Sequence, residues 1–313
     1  MDMGNLSNDG HHATASGNDL STTSVVNYIY LLADSGSNPF NSWMEKIGSR
    51  LHLASDQTSL KPIVDLLITA ISPERIFVIS YKGIPQYQID DYTEILLMID
   101  DAVDTADDQN MNFVKLAFAQ NRDIFISLGD ATEIEGHLEF GSPYYCSHFR
   151  NWFQVYSAGP TRIIEMHQDQ MDKLKSETSD RFQALFSKAQ ILYNNAADFF
   201  KQDNPDLGAS LLYQALLMTY QSIITAFKGP IPEIYSAVEY QKVAKRYLPL
   251  ITSNDRLGYL PEKLEETCSL QGQRNYQISK GGMDLLAADV QTLMEISQIT
   301  FASKLKQFDS PPA

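Results

Sequence analysis

Leu207 to Lys228 reads LGASLLYQALLMTYQSIITAFK, and no charged side chain stands between Gly208 and Phe227. Asn204-Pro205-Asp206 precedes the stretch and Gly229-Pro230 follows it. A capping Asn, a Pro tolerated in the first turn, and Gly-Pro at the stop mark both ends of a helix. Leu212, Ala215, Leu216, Thr219, Ile223 and Phe227 line one face, and Leu211, Met218 and Ile224 widen it. A helix apolar over so much of its circumference is buried on more than one side. Tyr213, Gln214, Thr219, Tyr220, Gln221, Ser222 and Thr225 are too many polar groups for a lipid span, so the stretch reads as the central helix of a bundle.

Around this helix the other C-terminal segments also read as helices. Phe182, Leu185, Phe186, Ala189, Leu192, Tyr193, Ala196 and Phe200 mark an amphipathic helix before it. Further helices are expected over 234–247 and 260–273. A last one carries Met283, Leu286, Val290, Leu293 and Ile296 inward. Short connections between such helices give an antiparallel bundle.

Upstream, the pattern changes. Residues 60–71 have helical spacing and end at Ser72-Pro73. RIFVIS (75–80), TEILLMID (93–100) and DIFISL (123–128) read as strands. Helices are expected over 108–120, 131–140 and 143–155. The order is that of an α/β unit with a small mixed or parallel sheet. Two domains are therefore expected: an α/β domain over 25–158 and an all-α antiparallel bundle over 159–308, joined at the YSAGP turn near 157–160. Residues 1–24, rich in Gly, Ser, Thr, Asn and Asp, read as a disordered tail, and 309–313 as a second, short tail. VVNYIYLLA (25–33) fits helix or strand equally, and the packing of 25–58 is not legible.

The formal net charge of −15 disfavours nucleic acid, whose phosphates are bound through Lys and Arg. The two cysteines, Cys146 and Cys268, make no metal or redox spacing and read as reduced thiols. With no apolar run before Val25, no signal peptide is expected, and a cytoplasmic protein without membrane contact is expected.

Leu212-Tyr213-Gln214-Ala215, Tyr220 and Phe227-Lys228-Gly229-Pro230-Ile231-Pro232 resemble the HEPN domain, whose segment commonly reads His-Gln-Ala-Ala, a later Tyr, then Phe-x-Gly-x-x-Pro. Arg274-Asn275-Tyr276-Gln277-Ile278-Ser279 is similar to the run before that family's last helix. The likeness spans roughly 180–307 and is to the bacterial form found behind a nucleotidyltransferase-like domain.

In outline, the α/β half resembles such a minimal nucleotidyltransferase domain: helix, Pro73, strand, a phosphate-contacting turn, a loop, and a second strand. Ser80-Tyr81 stands at the Gly-Ser-Tyr position, but Ile79 replaces the Gly that lets phosphate approach the backbone. The two metal-binding aspartates would fall on Thr93 and Ile95, and a shift of one residue leaves only Glu94 as a carboxylate. Metal-assisted transfer needs closely placed carboxylates. The resemblance thus implies the fold and argues against the activity.

Other constellations are weaker. Asp90, Asp91, Glu94, Asp100, Asp101, Asp104, Asp107 and Asp108 form an acidic run that reads as a solvated face; its functional reading is a displaced metal site at Asp100 and Asp101. The HEPN ribonuclease pairing of Arg with His is missing, since no His follows His167 and Tyr235 stands where relatives carry Thr-His. Cys146 and His148 are two apart, which on one helix turns them away from each other. His11-His12, His52, His137 and His167 lack partners at a metal spacing, and Trp43 and Trp152 read as packing anchors.

The expectation is an interaction or nucleotide-binding protein, leaning away from enzyme, with no cofactor. The alternative is an active nucleotidyltransferase using Mg²⁺ and an NTP through relocated carboxylates, and a weaker one is an RNA-binding toxin or antitoxin module. A homodimer through the bundle is expected, with Leu212, Gln214, Leu216, Met218 and Gln221 as interface or core residues of the central helix. Gln214 and Gln221 would bond across the two-fold axis or to a neighbouring helix. A protein partner is the other expected binding mode.

Overall fold

The computed structural model describes residues 51, 53, 55–100, 123–159, 163, 165–230, 236–270 and 279–309. The expectations for the N-terminal tail, 25–33, Trp43, the 108–120 helix, Asp101, Asp104, Asp107, Asp108, Tyr235 and 274–278 lie outside these residues. What is described is a mixed α/β arrangement: a small sheet in the N-terminal part and a mostly helical C-terminal region.

Helix α1 (Lys61–Ile71) ends on Ser72 in the left-handed conformation, whose N–H returns to the Ile68 carbonyl. Pro73 then starts the strand connection. Strands β1 (Arg75–Tyr81), β2 (Tyr92–Ile99), β3 (Ile124–Asp130) and β4 (Gln154–Ser157) form one sheet in the order β3-β2-β1-β4. β1 runs antiparallel to β2 and β4, and β2 runs parallel to β3, so the sheet is mixed.

β4 corrects the expectation of a helix over 143–155. Helix α2 (Ala131–Glu139) forms as expected, but α3 (Pro143–His148) stops at His148. A turn at 150–153 follows, and Gln154-Val155-Tyr156-Ser157 pairs with Arg75–Phe77. The β-branched and aromatic Val155 and Tyr156 suit a pleated surface better than a continued helix, and a free edge of β1 is there to receive them.

Alternation along the strands gives the sheet two apolar faces. Ile76, Val78, Ile95 and Leu97 pack with α1 residues such as Val64, Leu67 and Ile71. Phe77, Ile79, Tyr81, Tyr92, Leu96 and Met98 join one core with the helical region. The helices are α4 (Gln168–Lys201), α5 (Pro205–Lys228), α6 (Ala237–Ala244), a one-turn helix Asp255–Gly258, α7 (Leu260–Leu270) and α8 (Lys280–Leu305).

α5, the central stretch of the sequence, lies against α3, α4, α6, α7 and α8. Asn204 accepts from the Leu207 N–H as its cap, and Gly229 closes it at φ 92°. Leu212, Ala215, Leu216, Tyr220, Ile223 and Phe227 are fully buried. At Gly208 the α5 backbone closely approaches α4: a Cβ there would stand 2.2 Å from the Phe200 ring. Among the described residues no helix is long and apolar enough to cross a membrane.

Candidate functional site

The face of β2 that carries Tyr92, Leu96 and Met98 also carries Glu94, a carboxylate sunk in an otherwise apolar surface. Its partner comes from the far end of the chain. Along α8 the buried positions Met283, Leu286, Val290, Leu293, Ser297, Thr300 and Lys304 repeat at alternate spacings of three and four, one continuous inner face. The face ends on Lys304, whose Nζ donates to Glu94 Oε1 at 2.5 Å, with 0% and 2% of the two side chains exposed.

The third member is His148, at the end of α3 and fully buried. Its Nδ1 lies 2.9 Å from the Tyr144 carbonyl and 2.7 Å from Ser147 Oγ. A carbonyl can only accept, so Nδ1 carries the proton and Nε2 is the acceptor. Nε2 receives the Tyr81 hydroxyl at 3.0 Å and faces Lys304 Nζ at 3.5 Å. The Lys304 ammonium also sits 4.8 Å from the Tyr81 ring centroid and 5.7 Å from that of Tyr144, within reach of a cation–π attraction.

Burial dominates the electrostatics of this cluster. It pushes Glu94 above the usual carboxylate range and Lys304 below the usual ammonium range, while their mutual attraction opposes both shifts. Burial first, and the Lys304 charge second, hold His148 well below the ordinary imidazole range, so the ring is neutral at neutral pH. The Tyr81 and Tyr144 hydroxyls are raised by burial and by Glu94. The cluster is a closed polar seam joining β1, β2, α3 and α8.

The positions named from the sequence are dispersed. Ile79 is buried on the inner face of β1, and Tyr81 stacks on Tyr92 with ring centroids 4.9 Å apart; Ser80 is exposed. Thr93 and Ile95 alternate with Glu94 and so lie on the other face, toward α1. The β1–β2 loop closes on itself: Asp91 accepts from the Gly83 N–H at 2.9 Å and pairs with Lys82 at 2.7 Å. Ile84 and Ile89 bridge below it. Asp90 and Asp100 are exposed. Among the described residues no three His, Cys, Asp or Glu side chains come together as a metal-sized group.

On α5, Leu212 and Leu216 are core residues, Met218 is half-buried and Gln214 is exposed. Gln221 donates to the Tyr240 hydroxyl of α6, the neighbouring-helix alternative for that side chain. Cys146 turns toward the Leu138 carbonyl. His137 stacks on Tyr145, and Trp152 lies under the Arg150 guanidinium.

No protein-family model, curated protein or solved structure matches the chain.

The residues that sequence reading missed are Lys304 and the role of His148. For Lys304 a signal existed: it falls in register with the apolar face of the last helix, where a charge needs a buried partner. Glu94 likewise interrupts an apolar strand. Nothing in the sequence pairs the two, because they are 210 residues apart.

Proposed function

We propose that this chain is a non-catalytic interaction protein, a degenerate nucleotidyltransferase-like α/β unit joined to a HEPN-like helical bundle, acting by binding rather than turnover. One observation carries the reading. The single carboxylate left in the strand motif, Glu94, is enclosed and neutralised by Lys304, while Thr93 and Ile95 lie on the opposite face, toward α1. A metal ion held for phosphoryl chemistry needs exposed, adjacent oxygen ligands at that strand. The order α1, Pro73, β1, loop, β2 supports the family resemblance, as does the buried central helix α5. The self-closed β1–β2 loop supports the loss of activity, because its backbone is already engaged by Asp91. Self-association through the bundle belongs to the same reading, with the half-buried Leu211, Leu217 and Met218 as the strip that α5 still offers.

The second reading, Mg²⁺-dependent transfer by relocated carboxylates, has one observation in its favour. Asp100 directly follows the end of β2, where Ile99 pairs with Asp130 in the parallel register. The C-terminal ends of parallel strands are where α/β sheets tend to bind ligands. Incubation of the full chain with labelled ATP and Mg²⁺ or Mn²⁺ separates the two readings. No label transfer to protein, RNA or small alcohols is expected. Transfer that Asp100→Ala and Asp101→Ala abolish would establish the enzyme instead.

A further inference from the structure

We propose that His148 makes the contact between the last helix and the sheet releasable by acid: a proton on its ring opens the Glu94–Lys304 clasp while the bundle around α5 stays folded. The geometry sets the stage. His148 Nε2 is 3.5 Å from Lys304 Nζ, and both side chains are wholly enclosed. A neutral ring accepts there; a protonated ring places a second cation against the ammonium and turns the acceptor of the Tyr81 hydroxyl into a donor.

The charges around the ring are few. From β1 comes Tyr81, and from β2 come Glu94 and Tyr92. From α8 comes Lys304. α5 contributes only the Phe227 ring. From the α6 end, Tyr247 meets Tyr144 edge-on and Arg246 lies over that ring, adding no negative charge. On and after α3 itself stand Tyr144, Ser147 and the raised thiol of Cys146, with Arg150 committed to Glu165 at 3.6 Å. Among the described residues Glu94 is thus the one carboxylate paired with Lys304 in this seam, and it can balance one cation, not two.

Just before the seam, Phe301 of α8 stacks on Phe182 of α4 at 3.8 Å and lies 5.6 Å from Phe227 of α5, so α8 up to that point belongs to the bundle. Beyond Lys304, Arg150 donates to the Phe308 carbonyl, Lys175 pairs with Asp309 at 2.6 Å, and Phe308 is buried. α5 is secured separately by α4, α6 and α7. Opening the seam therefore frees the last turn of α8, from Lys304 on, and uncovers Glu94 and Tyr81, while Phe301 keeps the rest of the helix on the bundle. The sign follows from the depressed imidazole. Its contribution is complete above the ordinary histidine pKa of 6.5 and is lost as pH falls below it. Glu94, raised by burial, responds with the opposite sign, so the comparison must keep Glu94 in place and change only the ring.

Hydrogen exchange on the full chain, corrected for the intrinsic pH dependence, provides the test between pH 7.5 and 5.5. Protection in 304–308 should fall about tenfold per pH unit below roughly 6.5, the slope of one proton taken up on opening. Protection in 212–227 should hold. His148→Gln, an amide that does not titrate, should remove the fall. A slope that persists in His148→Gln overturns the proposal, as does simultaneous loss of protection in 304–308 and in α5. Should that variant not fold, the ring-nitrogen NMR shifts of wild-type His148 decide. They must report a neutral Nδ1–H ring until protection falls, and a ring that charges with protection intact overturns it.

Discussion

Lys304 and Glu94 stand 210 residues apart and meet at 2.5 Å in the interior, the last helix reaching the second strand of the sheet. Two charges removed from water are tolerable only as a pair with further polar partners. Here the partners are His148 for the ammonium and the Tyr81 and Tyr144 rings around it.

Breaking the pair on one side should be costly. Lys304→Met leaves Glu94 buried and uncompensated, and a loss of about 3–5 kcal/mol is expected in urea unfolding. The double variant Lys304→Met/Glu94→Gln should recover much of that, since it removes both charges. A double variant as unstable as the single one would mean that packing, not charge, dominates at Lys304.

Leu216 and Met218 should behave differently. Leu216 is fully buried, and Leu216→Ala should destabilise by about 2–5 kcal/mol, with Leu216→Lys failing to fold. Met218 is half-buried, so Met218→Lys should keep the circular dichroism of the wild type. If the strip it belongs to joins two chains, light scattering will show Met218→Lys as a monomer and the wild type as a dimer. A wild type that is monomeric at tens of micromolar removes the dimer from the proposed function.

Gly83 sets the shape of the β1–β2 loop. A Cβ at that position would stand 2.3 Å from the Ile89 carbonyl oxygen, a backbone atom that cannot swing aside. Gly83→Ala should cost about 1–3 kcal/mol as the loop shifts to relieve the contact. Loss of the Asp91 hydrogen bond would accompany it, visible as faster amide exchange at Gly83 in a loop that otherwise protects it. An alanine variant as stable as wild type would show that the loop adapts freely.

Cys146 should be inert in the folded chain. Burial pushes its thiol up to about 11, with Arg150 pulling weakly the other way. At pH 8 only about one molecule in a thousand would carry the thiolate that reacts. Alkylation at pH 8 should therefore be slow in the native state and fast in urea. Rapid native labelling at Cys146 would contradict the buried position.

Much of the architecture was legible in the residues. The α5 stretch carries its own caps, Asn204 and Gly229, and an apolar surface wider than one face, so its central position follows from local chemistry and hydrophobic periodicity. Three of the four strands among the described residues and the helical segments from 182 onward follow from the same periodicities. β4 did not, because four residues after a turn acquire strand geometry only when the edge of β1 is present to pair with them. The seam depends on tertiary structure still more completely. Glu94 on a strand, His148 at a helix end and Lys304 near the chain terminus each look like an isolated polar residue in sequence. Their charges, their protonation and their joint role exist only where three elements enclose them together, because burial is a property of the assembled fold and not of any segment.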